Sequence, residues 1–577
     1  MCRRIQITIC ILAILVAGCE QQTSKAVQTN AADRVFLHGG VYTVDPAQPW
    51  AEAVAVRDGQ IVYVGTDGGV QDLTGPETIV TDLSGRLLLP GFHDSHVHLA
   101  EGDGSYGGCS LFELKSIDAI RQKLEECTQL PGRGDAGWIV GAGWDRTAFE
   151  GANPNKALLD EIFPERPAYF NALDGHSSWV NSKALELAGI DRNTADQPRR
   201  KIDRDRATGE PTGVLDELSM DYVARIVPPL SIKARVEQLL GDIATAHRFG
   251  ITSIIDPGLD ETLLAPYLAL DRNGMLELRV RAALSTIGWF PGAFGADIYA
   301  MIAARDQYRG LNLRPDSVKI YTDGVLENGT GLLVEPYIGP GAQYGRGEPH
   351  YSQEDLNEYI RRFDAAGVQI VVHAIGDLGT RMALDAFEAA QKKNGKTDNR
   401  HHIVHLQLIH PDDVARFGEL DVTAVFQAIW ALPDEWVMEL NLPWVGPERV
   451  DRMYPIASVQ RTGGRIVGGS DWFVSSLNPL DAIEVGIRRQ DYDAADGPVL
   501  NADERVDLAT MIEAYTINGA WLMGQEDAVG SIEVGKRADL IVIDRNLFEI
   551  PATEINEATV VLTLFDGEPV YRAEVLR

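Results

Sequence analysis

Apolar and polar positions along the middle of the chain switch repeatedly between a helical and a strand period. Val236, Leu239, Leu240 and Ile243 recur at helical spacing, and Gly250 stands where a C-terminal cap belongs. Residues 251–256 then form a β-branched run of strand character. Further strands are predicted at 278–284, 317–323, 368–373, 402–407, 422–427 and 465–471, with helical stretches between most of them. The helix after Tyr351 opens with Ser352 and Asp355 at capping-box spacing. Repeated strand–helix units with apolar strands predict an α/β fold with a parallel sheet, and this many units predict a closed (β/α)8 TIM barrel.

The two ends of the chain read differently. Residues 53–65 are two β-prone runs around Asp58-Gly59, a hairpin signal, and residues 559–571 repeat it around Asp566-Gly567 after a strand at 538–544. Neither end carries enough apolar length for a core of its own. Together they predict a small β-sandwich domain built from both chain ends, with parts at 33–88 and 501–577, the latter including a final helix. The barrel takes 89–500. Within it, about 100–215 is rich in Gly, Asp and Pro and fits the barrel rhythm poorly, which predicts an elaboration of the first loop on the catalytic face.

The first residues have the layout of an export signal. Arg3 and Arg4 precede an apolar run at 5–16 that is too short to span a bilayer comfortably. The run ends in Val16-Ala17-Gly18-Cys19, which resembles a bacterial lipobox. That resemblance implies a signal peptide at 1–18, a lipidated Cys19 and a polar tether over 19–32. Glu20 then suggests sorting to the periplasmic side of the outer membrane. Cys2 and Cys10 would leave with the signal. Cys109 and Cys127 remain as candidates for a disulfide, which their separation permits without demanding.

Composition narrows the function classes. With 45% apolar and 24% charged residues in 577, wholesale disorder is excluded. A formal charge of -32 argues against nucleic acid and against electrostatic docking on an anionic membrane. The expected partner is a small-molecule substrate, with the membrane reached only through the lipid anchor.

Polar residues at the predicted strand ends carry the chemistry, as barrel enzymes build their sites there. If residues 89–98 run as a strand, His96 and His98 share a face and can chelate one metal. Lys319, Tyr321 and Asp323 likewise share one face of an apolar strand, where a lysine is costly unless paired or neutralised. His373, His405 and Asp471 follow at later strand ends. Taken singly, the His96–His98 pair reads equally well as structural, and His373 or His405 alone reads better as a hydrogen-bonded structural residue.

In this order the set resembles the amidohydrolase superfamily, in particular the branch that includes the N-substituted formamide deformylases. Shared motifs include Pro90-Gly91 before the first histidines, Gly141 through Asp145, Asp174-Gly175-His176 through Asn181, and Gly213-Val214-Leu215. His373 to Asp377, Gly469 to Asp471 and Gly530-Ser531-Ile532 through Asp539 complete them. The resemblance implies two divalent metal ions, zinc foremost. His96, His98 and Asp471 would bind one, His373 and His405 the other, and Lys319, carboxylated by carbon dioxide, would bridge them. It implies a metal-held hydroxide, with Asp471 as its base and His176 stabilising an oxyanion or binding substrate. Substrate contacts are expected from Trp144, Asp145, Tyr321, Asp323, Gln427 and Trp430. Two departures stand out: Val404 where relatives carry glutamate, and Gln427-Ala428-Ile429-Trp430 where they read Gln-Pro-x-His. The function expected is hydrolysis of an amide-type C–N bond in an N-acyl or N-formyl amine or a dipeptide-like compound. Ester or lactone hydrolysis is the alternative. A single-metal deaminase is disfavoured by Lys319, and a non-catalytic binding lipoprotein by six filled ligand positions.

Overall fold

A computed structural model describes residues 31–102, 108–197, 200–285 and 297–576. The expected signal peptide and Cys19 lie outside the described residues. Eight parallel strands form the central sheet: β1 (Phe92–Asp94), β2 (Ile251–Leu259), β3 (Arg279–Ser285), β4 (Leu313–Tyr321), β5 (Gln369–Ala374), β6 (His402–His405), β7 (Thr423–Phe426) and β8 (Ile466–Gly468). They pair in chain order from β1 to β8. Beyond their ends the first and last strands meet, Ser95 N–H donating to Gly468 O (3.1 Å) and Ser470 N–H to Asp94 Oδ1 (2.9 Å). The sheet is a nearly closed (β/α)8 barrel.

Alternation along the strands separates two apolar layers. On β4, Val318 and Ile320 join the large core shared with the surrounding helices. Ile255, Ala283, Val371, Val404, Val425 and Val467 instead cluster together as the barrel filling. Gly250 takes φ +80 between the helix Ile232–Arg248 and β2, as its capping role requires. Ser352 Oγ accepts the Asp355 N–H (3.1 Å) at the start of the helix Gln353–Ala365.

The sandwich joins both chain ends. Leu540–Ile543 lies antiparallel between Leu87–Pro90 and Val560–Phe565 in a six-stranded sheet, and a four-stranded sheet that includes Ala53–Arg57 and Gln60–Gly65 accompanies it. Asp539 ties it to the barrel by accepting from Arg279 of β3 at 2.8 and 3.1 Å.

The region between β1 and β2 is more than a loop. Its strands from Cys109–Ser110 to Pro211–Glu217 make a six-stranded mixed sheet with its own core of Ile139, Trp144, Leu159, Phe163, Phe170 and Trp179. Cys109 and Cys127 are disulfide-bonded, linking the sheet's edge strand to the end of the helix Ile117–Cys127.

Candidate active site

The six residues expected as metal ligands converge at the C-terminal ends of the barrel strands. Lys319 is on β4, His373 on β5 and His405 ends β6, whereas Asp471 follows β8. His96 and His98 lie past the end of β1, so strand alternation is not what brings them together. The turn is held by Asp94 Oδ1, which accepts the N–H groups of both His96 (3.2 Å) and Ser470 (2.9 Å). Gly469 is needed beside it, since a Cβ there would lie 2.9 Å from the His96 backbone nitrogen and Cβ. His405 (φ +76) and Asp471 (φ +56) both occupy left-handed backbone, a strained geometry often found at functional sites.

His96 Nε2 and His98 Nε2 each stand 3.2 Å from Asp471 Oδ1. Lys319 Nζ is 3.2 Å from His96 Nε2, and the His373 and His405 rings are 4.5 Å apart. His405 Nδ1 is paired with Gln427 Oε1 at 2.9 Å, and its ring stacks on Trp430. The donor set suits a divalent cation. Ligand atoms of His96, His98 and Asp471 lie within 4.8 Å of one another, and Asp471 Oδ1 is buried without a hydrogen bond. Imidazole and carboxylate donors converging this closely without satisfying one another fit a shared metal.

Burial dominates the electrostatics. It draws the Lys319 ammonium down to about 7. Burial, then the nearby Lys319, lowers His96 to about 3. His373 and His405 are held well below the usual imidazole range, again chiefly by burial. Asp471 goes the other way: burial raises it, but His405, His96 and His98 together hold it well below the carboxylate range. His98 rises to about 10, because Glu101 and Asp471 outweigh its burial. The centre opens into a cavity of about 470 Å³.

A family model described as "Amidohydrolase family" matches residues 79–571. The chain belongs to the amidohydrolase family. It is 30% identical over 553 residues to Protein LONG AFTER FAR-RED 3 of Arabidopsis thaliana, covering 94% of this chain and 92% of that protein. It is 26% identical to the N-substituted formamide deformylase of Arthrobacter pascens, covering 93% and 98%. Among solved structures, an uncharacterized metal-dependent hydrolase from Pyrococcus furiosus superposes with a TM-score of 0.67 at 25% identity, covering 89% of this chain and 99% of that one. This amidohydrolase is thus a member of a family of metal-dependent hydrolases.

The expected substrate contacts divide. Tyr321, Trp430 and His176 line the cavity of the amidohydrolase. His176 is delivered by the inserted sheet and held there by Glu217, 3.2 Å from its Nδ1. Trp144, Asp145, Asp323 and Gln427 do not line it. Trp144 is fully buried in the insert's core, donating Nε1–H to Phe170 O at 3.1 Å. Asp145 caps the turn at Thr147 (2.8 Å) and pairs with Lys115 (2.5 Å). Asp323 lies beyond β4, where it accepts the N–H groups of Leu332, Ile375 and Gly376 at 2.8–3.0 Å and so organises backbone. Gln427 acts on His405. Val404 packs inside the barrel, so the glutamate missing there leaves His405 supported from Gln427 instead. Sequence reading missed Glu101, 1% exposed and 3.5 Å from His98 Nδ1, although its place three residues after His98 was a signal. Glu217 had no such signal, since only the insert's fold brings it to His176.

Proposed function

We propose that the protein is a two-metal hydrolase of an amide-type C–N bond. The observation that carries this reading is Lys319, an almost wholly enclosed amine 3.2 Å from His96 Nε2 in a cavity lined also by His98, His373, His405 and Asp471. With its basicity drawn down to about 7, a good part of it is the neutral amine that reacts with carbon dioxide. The nitrogen adds to the carbon and releases one proton, leaving a carbamate with two oxygens able to bridge two cations. In this reading His96, His98 and Asp471 would hold one ion, His373 and His405 the other, with zinc the metal expected from such donors. When bound, the ions supply Lewis acidity, lowering the pKa of water towards neutrality and polarising a carbonyl.

The chain's own groups do the rest. Asp471, kept ionised by the surrounding histidines, accepts the proton of the attacking water and delivers it to the departing amine. His176 has its Nδ1 fixed by Glu217 and its ring on the cavity wall, so it serves as donor to the oxygen that gains charge. Trp430 closes the site beside His405. Elemental analysis of protein grown with zinc, followed by a screen against N-formyl amines, N-acyl amines, dipeptides and lactones, tests the proposal. About two metals per chain and turnover of amides are expected. Active protein without metal overturns the mechanism, and turnover confined to lactones overturns the bond.

A further inference from the structure

Outside the metal centre the cavity wall carries Asp174, Glu327, Asp434, Glu435, Asp491 and Asp493, with Lys115 as its lysine. Glu327 sits in the turn Leu326–Asn328 after β4 and lines the cavity; among the described residues it has no ion pair, and its own backbone N–H meets its carboxylate. Asp434, after β7, accepts the Val437 N–H (2.9 Å) and no other donor among the described residues. Tyr454 lies near enough to both for their charges to help hold its phenol up, after burial itself. Trp430 and Trp436 complete an aromatic lining, and Val325, Leu432, Val437 and Tyr454 pack as one apolar cluster behind it.

Two amides point independently to a ligand. Gln407 is 6% exposed and lines the cavity, and among the described residues its side chain's hydrogen-bond partner is Met453 Sδ, 3.9 Å from Nε2. Asn441 is 2% exposed on the same wall. Its Nδ2 donates to Trp436 O (2.8 Å) at the two ends of a π-helical turn, while Oδ1 is buried without a partner. A buried amide left this way costs stability unless something meets it. Lys115 is the cavity's lysine outside the metal centre, and Asp145 already takes its charge at 2.5 Å.

We propose that the substrate carries a protonated amine, held by Glu327 and Asp434 and by the faces of the neighbouring aromatic rings, with its N–H groups met by Gln407 and Asn441. Aromatic faces and carboxylates together favour such a group when it is desolvated. The same wall repels a carboxylate, so substrates with a free acid at this position are selected against. Burial lifts both Glu327, to about 7, and Asp434, to about 6, against the pull of Arg146 and His176 on the first and of Lys115 on the second. The inference rests on the cavity being the substrate site of the proposed hydrolase.

Three amides of matched length test it: N-(4-aminobutyl)acetamide, N-pentylacetamide and 5-acetamidopentanoate. Affinity is measured by calorimetry and hydrolysis by product release, on the metal-loaded protein. The aminobutyl compound is expected to bind at least about tenfold more tightly than the pentyl compound, as one charge-assisted contact supplies, and the acid most weakly. Glu327→Gln and Asp434→Asn, each checked for an unchanged melting temperature, should shrink that ratio. Equal or tighter binding of the pentyl compound or the acid overturns the inference, whatever the variants do, and so does a ratio untouched in both folded variants. Hydrolysis that favours the neutral amide sinks the inference while leaving the reaction intact. Preference for the cation without hydrolysis of any amide leaves the inference standing and sinks the reaction.

Discussion

An ammonium enclosed like that of Lys319, 1% exposed, gives up several kcal/mol of hydration unless it is paired or loses its proton. Its Nζ lies 3.2 Å from His96 Nε2, and the charges of Asp471 and Glu101 favour the ammonium without overcoming its burial. Lys319→Ala should therefore cost the protein little stability while metal content and turnover fall together. Elemental analysis beside a melting curve checks it, and wild-type metal content in the variant would show the lysine to be structural. His176 and Glu217 pose a different residue-scale question. The folded Glu217 is lowered to about 2, burial being outweighed by His176, so its contribution is present above 4.5 and lost as pH falls towards 2. His176 is raised, burial again being outweighed by Glu217; its contribution is complete below 6.5 and lost as pH rises through its higher folded value. The stability gap between wild type and Glu217→Gln should accordingly be widest between 4.5 and 6.5 and narrow on both sides. Melting curves of both proteins across pH test this, and a gap that keeps widening above neutrality would refute it.

Among the elements, the inserted sheet has the most to explain. It sits between two barrel strands yet has its own hydrophobic core, and it carries His176 to the cavity. The Cys109–Cys127 bridge spans 18 positions of that insert. A closed loop of this size restricts the unfolded chain by about 3 kcal/mol. Cys109→Ser with Cys127→Ser should lower the unfolding free energy of the insert by about that amount, with the barrel's metal content unaffected. Limited proteolysis with and without reductant reads this directly. Equal cleavage rates in the insert for the wild type and the double variant would mean that the bridge contributes nothing there.

For the whole molecule, a sandwich made from both ends closes the chain around the barrel, and Arg279 locks the two together through Asp539 and, at 2.6 Å, Asp566. Among the described residues no helix is long and apolar enough to cross a membrane. Our proposal that the protein is a lipoprotein of the outer membrane rests on Arg3-Arg4, the apolar run at 5–16, Val16-Ala17-Gly18-Cys19 and Glu20. Cys19→Ser should leave the precursor unprocessed or move the protein to the soluble fraction. Fractionation and mass measurement of the mature N-terminus decide it, and unchanged membrane association would remove the anchor from the account.

What the sequence by itself determined was the fold class and the order of the chemistry along the chain. Hydrophobic period and turn residues are local, so the barrel strands, the Asp58-Gly59 and Asp566-Gly567 hairpins and the Ser352 cap were all legible. His96, His98, Lys319, His373, His405 and Asp471 were legible as a candidate set from their order at predicted strand ends and the family resemblance that order carries. Tertiary structure alone decided which neighbouring polar residues face substrate. Asp323 follows the strand period on paper, but β4 ends at Tyr321 and its carboxylate turns to backbone N–H groups. Trp144 belongs to a core that exists only once the insert folds. Glu217 meets His176 and Gln427 meets His405 only through contacts between segments well apart in the chain, which no local pattern encodes.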